Sequence, residues 1–197
     1  RCHDDIGWGL DYEWLHQNFG TDEVLHKRYL NDYFQGFAGD SNSRGELYND
    51  DMTSGDARLC GTTASLCGIE KAGFEQNREA MERAVRFDLT LHAMMFLQTG
   101  IPLLYSGDEL APVNDYSYKD DAQKADDSRY LHRGRFQWEL EEHMHDLETP
   151  EGQVFCGLSA LVALRGTSPA FGTEADVWTL DTGDDGLLAI GRYVNGQ

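Results

Sequence analysis

Two polar clusters in this sequence carry side chains suited to acid, base or carbohydrate chemistry. The first, His3-Asp4-Asp5, lies at the start of the sequence, and the second, Gly107-Asp108-Glu109, follows a continuous apolar run. Carboxylates at the carboxyl ends of buried parallel strands, followed by long loops, form the active sites of barrels of alternating strands and helices. As isolated residues neither cluster identifies a function, because such acids also cap helices and decorate surfaces.

The residues before the second cluster predict a step from helix to strand. Thr62 is a hydroxyl cap for a short helix that reaches residue 69, and residues 75–98 have the pattern of a long helix. The apolar face of the long helix would carry Met81, Val85, Leu89 and Phe96. Gly100 ends that helix, and residues 101–105 form an apolar run typical of a strand buried on both faces. This order indicates an α/β fold.

Two polar stretches follow the clusters and predict long loops. Residues 8–37 contain short helical patterns, with an apolar stripe expected to face the core at Leu25, Tyr29, Tyr33 and Phe37. Residues 36–58 are rich in Gly, Asp, Asn and Ser, which predicts a surface loop. Residues 110–148 form a second long polar connection, a kind that is usually functional.

The last part of the chain predicts one helix and one hairpin. Thr149-Pro150 begins a helix that ends near Gly166, with an inward face at Phe155, Leu158, Leu161 and Val162. Residues 177–180 and 187–190 flank the turn Asp184-Asp185-Gly186 and predict an antiparallel hairpin. An all-β domain is therefore expected to begin near Thr173.

Composition excludes several classes of partner. The chain has 35 acidic and 16 basic residues, a net charge of -19, which repels nucleic acid and anionic membranes. The sequence has no apolar run of the roughly 18 residues that a membrane-spanning helix needs. Its four cysteines have neither metal-ligand nor disulfide-framework spacing. Reduced thiols are expected, which favours a cytoplasmic over a secreted location.

Four segments in order give the strongest signal. Residues 3–8, 55–62, 100–109 and 126–133 closely resemble the C-terminal part of the amylosucrases, in the α-amylase superfamily (glycoside hydrolase family 13). The resemblance implies the last two β/α units of a (β/α)8 TIM barrel over residues 1–172. A loop subdomain at about 7–60 and the long loop 110–148 would belong to this part. Residues 173–197 would begin an antiparallel β domain.

The resemblance also implies an activity. Amylosucrases transfer glucose from sucrose to α-1,4-glucan with retention of configuration and release fructose, using carboxylates and neither metal nor organic cofactor. Asp4 matches the family carboxylate that stabilises the oxocarbenium-like transition state. His3 matches the residue that hydrogen-bonds glucosyl hydroxyls, for which an imidazole can donate or accept. Sucrose and α-glucan are thus the expected partners.

The resemblance places further residues at the substrate. Asp5 and Arg58 match positions on the fructosyl or acceptor side of the cleaved bond. Arg129 matches an arginine at the pocket floor that pairs with a carboxylate from elsewhere and so limits the pocket to one glucosyl unit. Lys27 and Tyr29 stand where the family more often has Arg and Phe in acceptor contacts. A lysine cannot form the two parallel hydrogen bonds that an arginine can form with an acceptor sugar. The length of the glucan acceptor and the balance between hydrolysis and transfer therefore stay open.

Several alternatives also stay open. The family nucleophile and acid/base lie upstream of the first motif, so this chain is expected to begin inside an active site and to be inactive alone. A sucrose hydrolase, an α-amylase-type hydrolase and a non-catalytic carbohydrate-binding relative are the rival hypotheses. Asp108 and Glu109 match family positions that are structural, so the resemblance implies that they anchor the last barrel strand rather than act as catalytic acids. Calcium binding by the loop acids is disfavoured because their spacing does not match an EF-hand loop; these acids are Asp120, Asp121, Asp126 and Asp127.

Overall fold

The computed structural model describes residues 2–184 and 186–194. Over these residues the fold is a mixture of helices and two small antiparallel sheets, without a closed barrel. The α-helices are α1 Tyr12–Phe19, α2 Glu23–Gln35, α3 Thr63–Cys67, α4 Ile69–Phe74, α5 Arg78–Leu97 and α6 Pro150–Thr167. The strands are β1 Glu46–Tyr48, β2 Arg58–Cys60, β3 Asp176–Leu180 and β4 Ala189–Tyr193. Short 3-10 helices span Asp108–Leu110, Tyr116–Asp120, Ser128–His132, Trp138–His143 and Pro169–Phe171.

Side-chain caps decide where the main helices begin. The Thr62 hydroxyl accepts the backbone N–H of Ser65 at 3.1 Å, and Pro150 occupies the first turn behind the Thr149 cap. Both predicted starts are confirmed. The long helix begins later than residue 75, because the Asn77 side chain caps it and α5 starts at Arg78.

The core lies between α3, α5 and α6. The predicted apolar face of α5 is confirmed, since Val85 and Phe96 are buried and Met81 and Leu89 pack against them. These side chains meet α6, which makes its most extensive packing with α5. Burial of this apolar surface is the main stabilising term for the helical part of the chain.

The inward face of α6 differs in part from the prediction. Leu158 is buried and Leu161 packs against the core, as expected, but Val162 is 55% exposed and the prediction for it is wrong. The fully buried Val154 takes part in the core instead. Arg165, near the end of α6, donates from Nη1 to the carbonyl of Gln98 at 3.0 Å and also binds the carbonyls of Phe96 and Gly100. These contacts tie the end of α6 to the end of α5.

A buried asparagine joins three distant segments. Asn114 accepts the Thr62 N–H at 2.8 Å and donates from its amide to the carbonyl of Arg44 at 2.6 Å. Its own backbone N–H donates to the Ser65 hydroxyl at 2.9 Å. This network draws part of the 36–58 stretch inward, so Ser43 is buried and the surface prediction for that stretch is only partly right.

The buried side of α2 is the opposite of the predicted one. Leu25 and Tyr29 of the apolar stripe are exposed, whereas Lys27 and Asn31 are buried. The Asn31 amide donates to the carbonyl of Gly55 at 3.0 Å, and Lys27 forms ion pairs. Because these polar contacts dock the helix, the prediction that the stripe faces the core is wrong.

Residues 101–105 do not form the predicted buried strand. Ile101 is 87% exposed and Leu103 is 77% exposed. A strand buried on both faces needs neighbouring strands for its backbone hydrogen bonds. Among the described residues the ladders are the antiparallel pairs β1–β2 and β3–β4, with one isolated bridge, so no parallel neighbour is present for this segment.

The C-terminal hairpin is confirmed. β3 pairs antiparallel with β4, with Trp178 opposite Gly191. The second strand begins at Ala189 rather than at 187, and Leu187 and Leu188 are exposed. Asp185 of the predicted turn, and residues 195–197 of the predicted β domain, lie outside the described residues. In the part of the chain described, no helix has the length and apolarity needed to cross a bilayer.

Candidate functional site

The side chain of Asp4 lies beside two arginines that are far away in the sequence. Its Oδ1 is 3.4 Å from Arg129 Nη1 and 3.5 Å from Arg133 Nη2, across 125 and 129 positions. Arg133 Nε also donates to the carbonyl of His3 at 2.7 Å, and the Asp5 N–H donates to Asp4 Oδ1 at 3.1 Å. We call His3, Asp4, Asp127, Arg129 and Arg133 the Asp4 cluster.

Two backbone features bring this cluster together. Ile6, two positions after Asp4, forms an antiparallel bridge with Leu59, each donating its N–H to the other's carbonyl at 2.8 Å. Leu59 lies in β2, which packs against the 3-10 helix Ser128–His132. Leu131 of that helix is fully buried and anchors it. The N-terminal segment and the 3-10 helix that carries Arg129 are therefore both held against β2.

Arg129 has a second carboxylate partner. Its Nε and Nη2 donate to the two oxygens of Asp127 at 2.8 Å each, which is the bidentate geometry that arginine favours. The Arg129 Cζ lies 4.5 Å from the centre of the Tyr48 ring. The sequence hypothesis expected a carboxylate from elsewhere, whereas Asp127 is two positions away. Asp127 and Arg133 were missed as site residues, although both belong to the 126–133 segment.

The electrostatics keep the carboxylates of the cluster charged. The Asp5 N–H and the Arg129 guanidinium lower the pKa of Asp4, and Arg129 lowers the pKa of Asp127. Asp127, acting back, raises the pKa of Arg129. Asp4 is ionised at neutral pH while its side chain remains 49% exposed. Its negative charge can thus face a positive charge that develops on a substrate.

Asp5 and Arg58 lie next to the cluster. Arg58 Nε is 4.0 Å from Asp5 Oδ1, a loose ion pair. The Arg58 guanidinium packs over Gly7, where a Cβ would come within 1.7 Å of Nη1. The structure therefore brings five of the predicted residues together near β2, and these are His3, Asp4, Asp5, Arg58 and Arg129.

Lys27 and Tyr29 lie apart from this group. Lys27 is buried, and its Nζ donates to Glu23 at 2.5 Å and to Asp56 at 2.7 Å, 5.2 Å from the Tyr12 ring centre. Hydrogen bonds from Asp56 and Glu23 raise the pKa of Lys27. Tyr29 is exposed on α2. Neither side chain contacts the Asp4 cluster among the described residues.

The two acids of the second cluster form hydrogen bonds within the protein. The buried Asp108 accepts the Thr63 hydroxyl at 3.2 Å, and Glu109 accepts the Gly107 N–H at 2.8 Å. Asp121 pairs with Lys124 at 3.0 Å. Over residues 2–184 and 186–194, no group of three or more His, Cys, Asp or Glu side chains is arranged to hold a metal ion.

A polar groove borders the Asp4 cluster. It has a volume of about 660 Å³, and Arg133 belongs both to its wall and to the cluster. The other lining side chains include Lys124 and Tyr130, whose ring lies 5.6 Å from both the Lys124 Nζ and the Arg133 Cζ. Such a mixture of donors, acceptors and a ring suits a polyhydroxylated ligand.

A comparison of the sequence with models of known protein families found no match.

Proposed function

We propose that this chain is the C-terminal part of a retaining, sucrose-using glucosyltransferase of the amylosucrase type. The parent would transfer glucose from sucrose to α-1,4-glucan and release fructose. In this proposal residues 1–172 are the end of a TIM barrel, and residues 173–197 begin a β domain. The proposal depends on the resemblance of the four segments and on the geometry of the Asp4 cluster.

One observation carries the proposal. Asp4 and Arg129 belong to two different segments of the resemblance, and their side chains are 3.4 Å apart across 125 positions. The resemblance assigns both residues to a single glucosyl pocket. Their contact supports that assignment, because it brings two distant segments of the resemblance to one place.

The residues of the cluster suit separate parts of a double displacement. In that reaction one carboxylate attacks the glucosyl carbon, a second group protonates the departing fructose, and positive charge develops on the sugar ring. Asp4, whose pKa is lowered by the Asp5 N–H and by Arg129, would stabilise that charge. His3 would hydrogen-bond the glucosyl hydroxyls, and Asp5 with Arg58 would contact the fructosyl side. The nucleophile and the acid/base would come from upstream strands.

The exposed apolar segment supports the barrel part of the proposal. Ile101 and Leu103 are largely exposed although their run of residues is as apolar as a buried strand. Neighbouring parallel strands of a barrel would cover these side chains and pair with their backbone. The proposal thus explains why a strand-like sequence has no ladder here.

The decisive experiment uses the parent enzyme, obtained by sequencing the gene upstream of residue 1. We expect it to convert sucrose into glucan and fructose, and the 197-residue chain alone to leave sucrose unchanged. Asp4→Asn in the parent should lower kcat by about a hundredfold or more, because charge stabilisation is lost. Asp181→Asn, in the exposed hairpin loop, is the matched control and should have no effect. Sucrose turnover by the isolated chain would contradict the proposal.

A sucrose hydrolase is the second candidate, favoured by the state of Lys27. Its ammonium is engaged by Glu23 and Asp56 and is therefore not available to grip a glucan acceptor. Equimolar glucose and fructose as the only products would identify this activity, whereas insoluble glucan identifies transfer. Absence of a carboxylate at the upstream nucleophile position would instead point to a non-catalytic carbohydrate-binding relative.

A further inference from the structure

Arg133 contacts both the backbone and a side chain of the N-terminal segment. Its Nε donates to the carbonyl of His3 at 2.7 Å, and its Nη2 lies 3.5 Å from Oδ1 of Asp4. These two nitrogens form one edge of the planar guanidinium, which can serve two oxygens at once. The backbone contact is the stronger of the two, because 3.5 Å is long for a hydrogen bond. Arg133 therefore acts mainly on the backbone that precedes Asp4.

The two arginines of the Asp4 cluster hold different parts of this segment. Arg129 uses Nε and Nη2 for the two oxygens of Asp127, at 2.8 Å each, and reaches Asp4 from Nη1 at 3.4 Å. Arg133 uses the same pair of nitrogens for His3 and Asp4. Arg129 thus acts on the Asp4 carboxylate, whereas Arg133 also ties the backbone before it.

The backbone that carries Arg133 is itself well fixed. Its N–H donates to the carbonyl of Tyr130 at 3.2 Å, and its Cζ lies 5.6 Å from the centre of the Tyr130 ring. The preceding residue, His132, is buried, and its Nδ1 accepts the N–H of Gly61 at 3.1 Å. Leu131 is fully buried. An arginine on such a base can fix the position of the groups that it binds.

The backbone is consequently held on both sides of Asp4. After it, Ile6 is bridged to β2, and before it, the His3 carbonyl is bound by Arg133. The His3 carbonyl and the Asp4 N–H belong to one planar peptide unit. A hold on the carbonyl therefore fixes the plane from which the Asp4 side chain projects.

We propose that Arg133 is a positioning residue, which orients the Asp4 carboxylate toward the substrate by holding the peptide before it. This role rests on the proposed glucosyl transfer, in which Asp4 stabilises the positive charge of the transition state. A carboxylate turned away from the sugar ring would lose that effect, since a misplacement of about 1 Å can lower a rate a hundredfold. Arg133→Lys keeps the positive charge, but the single lysine nitrogen cannot serve both oxygens in the same geometry.

The hold on the backbone is tested in the 197-residue chain by NMR relaxation of backbone amides. In Arg133→Lys the order parameter of the Asp4 amide should fall from about 0.85, typical of rigid backbone, to below about 0.6. The Ile6 amide should keep its value, because its bridge to Leu59 does not involve Arg133. Arg78→Lys, at a side chain of α5 that is 86% exposed, is the matched control and should change neither amide. An unchanged Asp4 amide in Arg133→Lys would overturn the proposal.

The role in catalysis is tested by the kinetics of the parent enzyme. Arg133→Lys should lower kcat for sucrose by about tenfold with little change in KM, because the lost interaction belongs to the transition state. A double-mutant cycle separates positioning from a general effect on the fold. In an Asp4→Asn background, Arg133→Lys should lower kcat by less than about twofold, because no carboxylate is left to orient.

Three further results have a defined meaning. An equal loss of kcat in both backgrounds would show that Arg133 acts independently of Asp4, and would overturn the positioning role. A parent without activity on sucrose would refute the proposed function and the catalytic role that rests on it, while the order parameters still decide whether Arg133 holds the backbone. If circular dichroism shows Arg133→Lys to be unfolded, Arg133→Gln, which also lacks the paired donors, replaces it with the same expected results.

Discussion

The packing of α6 on α5 can be tested by shortening one side chain at two places on the same helix. Leu158 is 3% exposed and belongs to the core cluster, whereas Leu164 is 48% exposed. Both lie within α6, so Leu→Ala changes helix propensity equally at the two sites. The difference between the two variants therefore reports burial alone.

The expected magnitude follows from how tightly the helices approach. Deleting a buried leucine side chain beyond Cβ costs about 2–5 kcal/mol, depending on how far the site can collapse. Next to Leu158, a Cβ on Gly157 would lie 2.6 Å from Leu89 Cδ2, so the helices are already in close contact and cannot approach further. We expect Leu158→Ala to lower the free energy of unfolding by about 3 kcal/mol.

Urea unfolding monitored by circular dichroism is the assay. Leu164→Ala should lower the free energy of unfolding by less than about 1 kcal/mol, with the same dependence on urea as the parent chain. A difference between the variants below about 1 kcal/mol would refute the assignment of Leu158 to the core.

Three further predictions concern titratable groups. Arg129→Lys removes the planar guanidinium that contacts Asp4, so it should raise the pKa of Asp4 toward its ordinary value of 3.8, measured by NMR titration. Burial lowers the pKa of His92 but the Asp88 carboxylate outweighs it, so the net pKa lies above 6.5. The stability from this pair is fully present below pH 6.5 and is lost as pH rises through the raised pKa; Asp88→Asn should remove that dependence of the unfolding free energy. Burial raises the pKa of the Cys60 thiol to about 12, so maleimide should label it only after unfolding.

Each of these has a control and a contrary outcome. Arg86→Lys, on the exposed side of α5, should leave the pKa of Asp4 unchanged, and an equal shift in both variants argues against the Asp4–Arg129 contact. Unfolding free energies with the same pH dependence with and without Asp88 would mean that His92 is not its partner. The exposed Cys2 should label in the folded chain, and labelling of Cys60 at the same rate would contradict its burial.

Local signals in the sequence predicted the helices and the hairpin well. A cap such as Thr62 or Thr149 acts within one turn, so its effect can be deduced without knowing the rest of the fold. The apolar stripe of α2 and the run 101–105 could not be placed in this way. Whether an apolar face is buried depends on which surface it meets, and periodicity alone does not identify that surface. On α2 the polar contacts of Lys27 determined the buried side.

The candidate site shows a similar division. The resemblance brought Asp4 and Arg129 to one place, and the structure has them in contact. It gave no partner for Lys27, because the ion pair with Asp56 joins positions 29 apart that only the folded chain brings together. The role of Asp127 as a partner of Arg129 was not predicted, because an acid two residues from an arginine is common in loops and does not by itself indicate a site.

The exposed run 101–104 joins two parts of the chain that are held together without it. Arg165 donates to carbonyls at the end of α5, and the Asn114 side chain binds backbone groups of Thr62 and Arg44. Side chains that follow the run in sequence therefore form hydrogen bonds with backbone that precedes it. A protease that cuts within this run should therefore leave two polypeptides that stay associated and elute as one species. The same position is where the gene could be divided to obtain complementing halves.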